Sequence, residues 1–243
     1  STYLTNDVGD WFREQVEKHP EAKWRVALVH KNIFSGSGHQ EDEETPLFRA
    51  TMLPIIKECE IDVMLQGHDH CYEVIGPVDA DTKKPILSAI EDLEPSFMSM
   101  SKNIGGTFTV NDGALYFIGA TCGTKRYSPN SQAVMEGDID KHKVDNYFDL
   151  FTGYFGQPGS PTYSAFTVDG NTITVNSYRV NTDGSAYLYN TFRIKRTKSH
   201  SSQKSGKKAL KLMQNGSMCI VHDNITYNAV GQIVDDERKE KNG

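Results

Sequence analysis

The chain has 243 residues, 37% hydrophobic and 24% charged, enough to bury one sizeable core with a small appendage; this excludes disordered and fibrous classes. Lys and Arg number 26 against 32 Asp and Glu, a net charge of −6, so nothing draws the whole surface to nucleic acid or anionic membrane, and any phosphate must be held locally. No apolar run approaches the roughly 20 residues of a membrane-spanning helix, and Ser1 to Asp10 lacks the basic-then-apolar order of a signal peptide, so a soluble chain is expected.

In chain order, Asp7 precedes Val8, Trp11, Phe12, Gln15 and Val16 on one helical face, and His19-Pro20 ends it, predicting a helix of about three turns. Trp24 to Val29 is a nearly continuous apolar run, which predicts a strand buried on both faces and ending at His30. Lys31 to Glu44 reads as a loop, with Ser35-Gly36-Ser37-Gly38 and then an acidic run. Thr45-Pro46 looks like an N-cap followed by a first-turn proline, and Leu47, Phe48, Thr51, Met52, Ile55, Ile56 and Cys59 keep helical spacing. Pro54 interrupts that spacing and predicts a kink or two short helices. Ile61 to Leu65 is a second buried-strand candidate, and strand–helix–strand in this order predicts a right-handed parallel crossover.

Beyond Tyr72 the pattern turns to β. Pro85–Ile90, Thr107–Val110 and Leu115–Ala120 are short β-prone runs, while Ser131 to Ser160 is acidic, aromatic and Gly-rich without a usable period. Tyr163–Val168, Thr172–Asn176 and Tyr187–Ile194 alternate, with Asp169-Gly170 and Asp183-Gly184 as turns, and predict a meander. These elements place residues 1–195 in one α/β domain. The Ser/Lys-rich stretch 196–208 predicts a flexible linker, and 209–243 a small β-hairpin tail built from Ala209–Gln214, Ser217–His222 and Ile225–Val230. Cys59, Cys71, Cys122 and Cys219 are widely spaced with no C-x-x-C pair, so neither a zinc knuckle nor a disulfide scaffold is indicated.

Three of the eight histidines, His30, His68 and His70, follow directly on the two strands assigned to one parallel sheet, and ligand sites in open α/β sheets lie at such strand ends. Gly67 permits a sharp turn after the second strand, and an extended backbone from His68 to His70 would aim both imidazoles into one pocket. A lone histidine is more often a satisfied core or surface residue than a ligand; three at adjacent strand ends point to a metal, for which neutral imidazole is the usual nitrogen donor.

Trp24-Arg25-Val26-Ala27-Leu28-Val29-His30 is similar to a V-x-x-H strand end, and Gln66-Gly67-His68-Asp69-His70-Cys71-Tyr72-Glu73 to a G-H-x-H-x-Y-E block. In these two ordered blocks the chain resembles the calcineurin-like metallophosphoesterases, in the branch near the purple acid phosphatases. That resemblance implies an α/β/β/α sandwich and phosphate mono- or diester hydrolysis by a hydroxide bridging two divalent or trivalent metal ions (Fe, Zn or Mn). It assigns His30 and His68 to one ion and His70 to the other. His39, nine positions after His30 (39 − 30 = 9), stands where that branch carries a histidine that contacts phosphate or protonates the leaving group; a solvated loop histidine is the alternative. Asp69 and Tyr72 resemble residues that orient the ligands through hydrogen bonds, with ordinary packing as the plain alternative. Val74 replaces the arginine that often follows Tyr-Glu, which removes an ion pair and no ligand.

The resemblance also implies ligand blocks of the forms G-D-x-G, G-D-x-x-Y and G-N-H-E, and none occurs in this sequence; Gly9-Asp10 runs into Trp11-Phe12 within the predicted helix. The chain is therefore expected to be the C-terminal half of the sandwich. It would be inactive alone, hold no ion or one, and pair either with the other half of its domain or with a second copy through an exposed strand edge. The segments Lys211–Gly216 and Tyr227–Gln232 look like a small tail of exported bacterial proteins, implying a secreted or periplasmic parent. The rival reading is a non-catalytic extracytoplasmic binding or interaction module on the same scaffold. No part in nucleic-acid binding is expected, since the Lys-rich linker has no aromatics to stack bases.

Overall fold

A computed structural model describes residues 6–95, 103–128, 151–200, 210–214, 217–222, 225–228 and 233–236. They fall into two units, Ser1–Ser201 and Ser202–Gly243.

Helix α1 (Asn6–Lys18) turns Phe12 and Val16, one helical turn apart, into the core. Strand β1 (Val26–Leu28) is followed by a loop, a 3₁₀ turn at Gly38–Glu41, helix α2 (Glu44–Glu58) and strand β2 (Val63–Gln66). β1 and β2 are parallel, with Val26, Ala27 and Leu28 opposite Val63, Met64 and Leu65, as the strand–helix–strand order requires. Strands β3 (Tyr72–Val78), β4 (Ile90–Pro95), β5 (Asn103–Thr109), β6 (Ala114–Gly119), β7 (Phe155–Gly156), β8 (Thr162–Asp169), β9 (Thr172–Val180) and β10 (Ala186–Lys195) complete the first unit. The first sheet has the order β1-β2-β6-β3-β7, and the second β4-β5-β10-β9-β8.

Alternation along the strands divides the core in two. Met64, Ile75 and Tyr116 face α1 and α2 and meet Phe12, Val16, Met52, Ile55 and Ile56. Val63, Tyr72, Val74, Leu115 and Phe117 point the other way and meet Phe108, Val175, Phe192 and Ile194 of the second sheet. The layers therefore run helix, sheet, sheet. This is the expected α/β class, and among the described residues no helix covers the outer face of the second sheet.

Several local expectations change. β1 has three residues rather than six, and it is an edge strand with Leu28 80% exposed, so its continuous apolar run does not mean burial on both faces. Helix α2 starts at Glu44 without a side-chain cap, and the Thr45 hydroxyl instead donates to the His39 carbonyl at 2.9 Å. Pro54 lies inside one continuous helix; the carbonyl it leaves without a partner belongs to the exposed Ala50, where water can serve it. Pro85–Ile90 forms an isolated bridge and a 3₁₀ turn rather than a strand, and the central buried strand β3 was not foreseen. Of the unassigned stretch, Phe151 and Phe155 prove to be fully buried core residues, and β7 pairs with β3; residues 131–150 lie outside the described set.

The first five residues of the expected linker are instead bound to the first unit. Arg196 is buried and donates to Asp62 at 2.6 Å and to Glu60 at 3.1 Å, and His200 contacts Asp62 at 3.0 Å, tying 196–200 to the start of β2; residues 201–208 lie outside the described set. The second unit is a four-stranded antiparallel meander rather than a hairpin: β11 (Leu210–Gln214), β12 (Ser217–His222), β13 (Ile225–Asn228) and β14 (Ile233–Asp236), paired in sequence order.

The buried inter-sheet layer should dominate stability. Phe192→Ala is expected to cost about 3–5 kcal/mol in urea unfolding, whereas Leu28→Ala on the open edge should stay within about 0.5 kcal/mol.

Candidate metal centre

The parallel strands β1, β2 and β6 end at one edge of the first sheet, and β3, antiparallel to β6, starts there. His30 follows β1 and His68 follows β2. The Val29 and Gly67 amides continue the ladder by donating to the carbonyls of Leu65 and His30 at 2.9 and 3.1 Å. A Cβ on Gly67 would sit 3.3 Å from the His30 carbonyl oxygen and 3.5 Å from its ring Nδ1, so this glycine allows close approach rather than the turn. The turn is made at His68, which takes a left-handed φ of 70°. The extended backbone expected from His68 to His70 is therefore absent, and the two imidazoles reach the site by different routes.

His30 and His68 meet with ring centroids 5.1 Å apart and Nε2 of His30 3.3 Å from Nδ1 of His68. His39, on the 3₁₀ turn, lies against His68 at 3.8 Å between centroids, and its Nδ1 contacts Asp42 Oδ2 at 3.1 Å. Tyr127 packs against both His39, at 5.3 Å, and His70, at 4.8 Å. His70 directs Nδ1 at the Lys125 carbonyl, 2.9 Å away, which places its proton on Nδ1 and leaves Nε2 as the donor atom. The loop that carries Tyr127 is held by Gln157, whose amide donates to the carbonyls of both His70 and Tyr127. The structure thus brings His30, His39 and His68 together, with His70 joined to them through Tyr127.

Asp69 and Tyr72 part company. Asp69 is fully buried; its Oδ2 accepts from the Ser35 hydroxyl at 2.5 Å and its Oδ1 from the His39 amide at 3.3 Å, so it braces the loop that carries His39. Tyr72 faces the second sheet and exchanges hydrogen bonds with Ser177 at 2.9 Å and Asn190 at 3.2 Å. Strand alternation explains this: Tyr72 opens β3 pointing into the inter-sheet core, and it touches no histidine of the cluster. The next residue, Glu73, points back under the loop, where its Oε1 lies 3.2 Å from Ser35 Oγ and its Oε2 accepts from the Gly36 amide at 3.1 Å.

Burial pushes the Glu73 carboxyl well above its ordinary value, with Asp69 adding to the rise, and burial also lifts Asp69 against its bonds from Ser35 and His39. Burial and the neighbouring rings of His39 and His30 lower His68, so its imidazole is held neutral and ready to donate a lone pair. Ser35, Asp42, Glu73 and Tyr127 were not singled out from the sequence. Asp42 stood within an acidic run that reads as a solvated loop, and Tyr127 lies 57 residues beyond His70 (127 − 70 = 57), where no local pattern connects them.

Among curated proteins, purple acid phosphatase 3 of Arabidopsis thaliana is 35% identical over 83 residues, covering 33% of this chain and 20% of that protein. The chain is similar to purple acid phosphatases of the calcineurin-like metallophosphoesterase kind. Purple acid phosphatase 7 of the same plant is 31% identical over 74 residues, covering 30% of this chain and 21% of its own length. Purple acid phosphatase 4 is 32% identical over 59 residues, 24% of this chain and 16% of that protein. The chain thus spans about a fifth of the length of the curated relatives it matches. The solved purple acid phosphatase PPD1 from yellow lupin seeds aligns over 76% of this chain and 28% of its own, at 14% identity and a TM-score of 0.40. No protein-family model matches. These relatives are plant proteins, so the expected bacterial origin finds no support in them.

Because Glu73 holds its proton more tightly in the folded chain than in the unfolded one, that proton contributes stability in full below about pH 4. The contribution is lost as pH rises through the elevated native value. Glu73→Gln keeps the shape and removes this loss. Above the ordinary carboxylate range the variant should gain on the wild type as pH rises, the gain levelling off once pH passes the elevated native value. Urea midpoints across that range check it, and a gap constant with pH excludes it.

Proposed function

We propose that this chain contributes part of the active site of a metal-dependent phosphoesterase that hydrolyses phosphate mono- or diesters. The observation that chiefly supports the reading is the meeting of His30 and His68 at the shared strand edge, with His39 beside them. The donor set suits metal ions. His30 Nε2 and His68 Nδ1 are 3.3 Å apart, the spacing of two nitrogens each about 2.0–2.1 Å from one tetrahedral ion. His70 retains Nε2 for a neighbouring ion once Nδ1 is engaged by Lys125. When bound, two such ions (Fe, Zn or Mn) supply an activated hydroxide and neutralise charge on the phosphoryl oxygens.

In this reading the chain's own residues orient and move protons. Asp69 and Thr45 pin the main chain of His39 at its amide and its carbonyl. Asp42 occupies Nδ1 of His39, leaving Nε2 to hold and deliver a proton to the departing alkoxide. Tyr127 and Gln157 hold His70 in place. Hydrolysis also needs a bridging carboxylate, which this sequence lacks in the forms G-D-x-G, G-D-x-x-Y or G-N-H-E. The whole protein would supply those blocks from elsewhere and act outside the cytoplasm. Among the described residues no helix is long and apolar enough to cross a membrane.

The purified chain with added manganese, zinc or iron is expected to hydrolyse an aryl phosphate no faster than background, and strong metal-dependent turnover would remove the half-site argument. In a longer product of the same gene carrying the carboxylate blocks, His39→Ala should lower kcat by about 10²-fold or more, with a larger loss for alkyl than for aryl esters. An equal loss for both would show that His39 does not protonate the leaving group.

The open edge of β1, where Val26 and Leu28 are exposed beside Trp11, supports pairing of this edge with another strand, from the rest of the domain or from a second copy. Light scattering on the isolated chain should show self-association that Leu28→Lys reduces, and a monomer at every concentration would contradict it.

A further inference from the structure

Beside the histidine pair lies a carboxylate, Asp42, to which the dinuclear reading gives no metal ion. Among the described residues, His39, Asp42 and His68 each bring one donor atom within 4.8 Å of the others. His39 Nδ1 is 3.1 Å and His68 Nε2 4.0 Å from the same oxygen, Asp42 Oδ2. Donors about 2.0–2.2 Å from a tetrahedral zinc ion lie roughly 3.3 Å apart; the His39–Asp42 contact already has that spacing, and a small turn of the partly exposed Asp42 would bring its oxygen nearer His68.

Two further features make this more than a chance cluster. The turn that carries both His39 and Asp42 is fixed from behind: the buried Asp69 accepts from the His39 amide, Thr45 donates to the His39 carbonyl, and the Asp42 amide returns to that same carbonyl at 3.3 Å. The rear nitrogen of His68, Nδ1, faces His30 Nε2, so a hydrogen bond between the two rings directs the other nitrogen, Nε2, toward Asp42. Metal-binding histidines are oriented in this way by a partner on the nitrogen that does not bind.

The geometry points to a mononuclear zinc-class site in this chain, formed by His39 Nδ1, Asp42 Oδ2 and His68 Nε2, with water completing the tetrahedron. The ion replaces the proton that His39 shares with Asp42, and that proton leaves to solvent. This site shares His39 and His68 with the phosphoesterase reading but engages the other nitrogen of His68, so it is an alternative to the ion shared by His30 and His68.

The test is a titration of the metal-free chain with zinc alone, in competition with a chromophoric chelator, alongside visible absorption of the cobalt(II)-loaded chain. One zinc ion per chain is expected, with a tetrahedral cobalt spectrum. Asp42→Asn and His39→Gln should each weaken zinc binding at least tenfold, and His70→Ala should change it less than twofold. All three positions are partly exposed, and circular dichroism confirms that each variant keeps its fold. Absence of zinc binding by the wild-type chain would overturn the site, as would loss of binding in His70→Ala with Asp42→Asn unaffected, the pattern of the His30/His68/His70 arrangement. Turnover is not part of the readout, so failure of this site and failure of the phosphoesterase reading are told apart.

Discussion

The arrangement rests on a short parallel pairing. Three residues of β1 lie against three of β2, and the ladder runs on past both strands through the Val29 and Gly67 amides. Because the strands are parallel, both chains leave the sheet at the same edge, and the first side chains beyond it, His30 and His68, are forced together. No long-range charge is needed to assemble the pair. The backbone hydrogen bonds do it, and the missing side chain of Gly67 lets the two segments close to within 3.3 Å of where a Cβ would stand.

Behind that edge a buried acidic layer sets the position of the third imidazole. Asp69 and Glu73 come from the turn after β2 and from β3, two places that strand alternation directs under the Ser35–Gly36 loop. Two carboxyls in so dry a place do not both ionise at low cost, and their raised affinity for protons reflects that. Loop donors satisfy them in return, and the same bonds hold the His39 turn rigid. Placing imidazoles to within a fraction of an ångström calls for such support behind the ligands.

The two faces of the first sheet do different work. Toward the helices, the alternating side chains of β2, β3 and β6 pack against α1 and α2 and include the acidic layer under the loop. Toward the second sheet they form an aromatic core in which Tyr72, although next to Glu73 and two residues from His70, spends its hydroxyl on Ser177 and Asn190. Proximity in sequence to a ligand block is thus no guide to proximity at the site, since the period of two sends neighbours to opposite faces.

From the residues alone one could read the α/β class, the parallel order of β1 and β2, the meander β8–β10 and the placing of His30 and His68 at one strand edge. Each depends on local periodicity, on turn residues or on a compact motif. Tertiary structure decided the rest. It showed β1 to be a half-exposed edge, because an apolar run has the same pattern in the middle of a sheet as at its margin. It let Pro54 stay within one helix, because the orphaned carbonyl faces water. It moved the turn from Gly67 to His68, because the glycine was needed where His30 approaches. It brought in Glu73 and Tyr127, which meet Gly36 and His39 across 37 and 88 residues (73 − 36 = 37; 127 − 39 = 88), so that only the packed sheet edge, and no spacing in the sequence, sets them side by side.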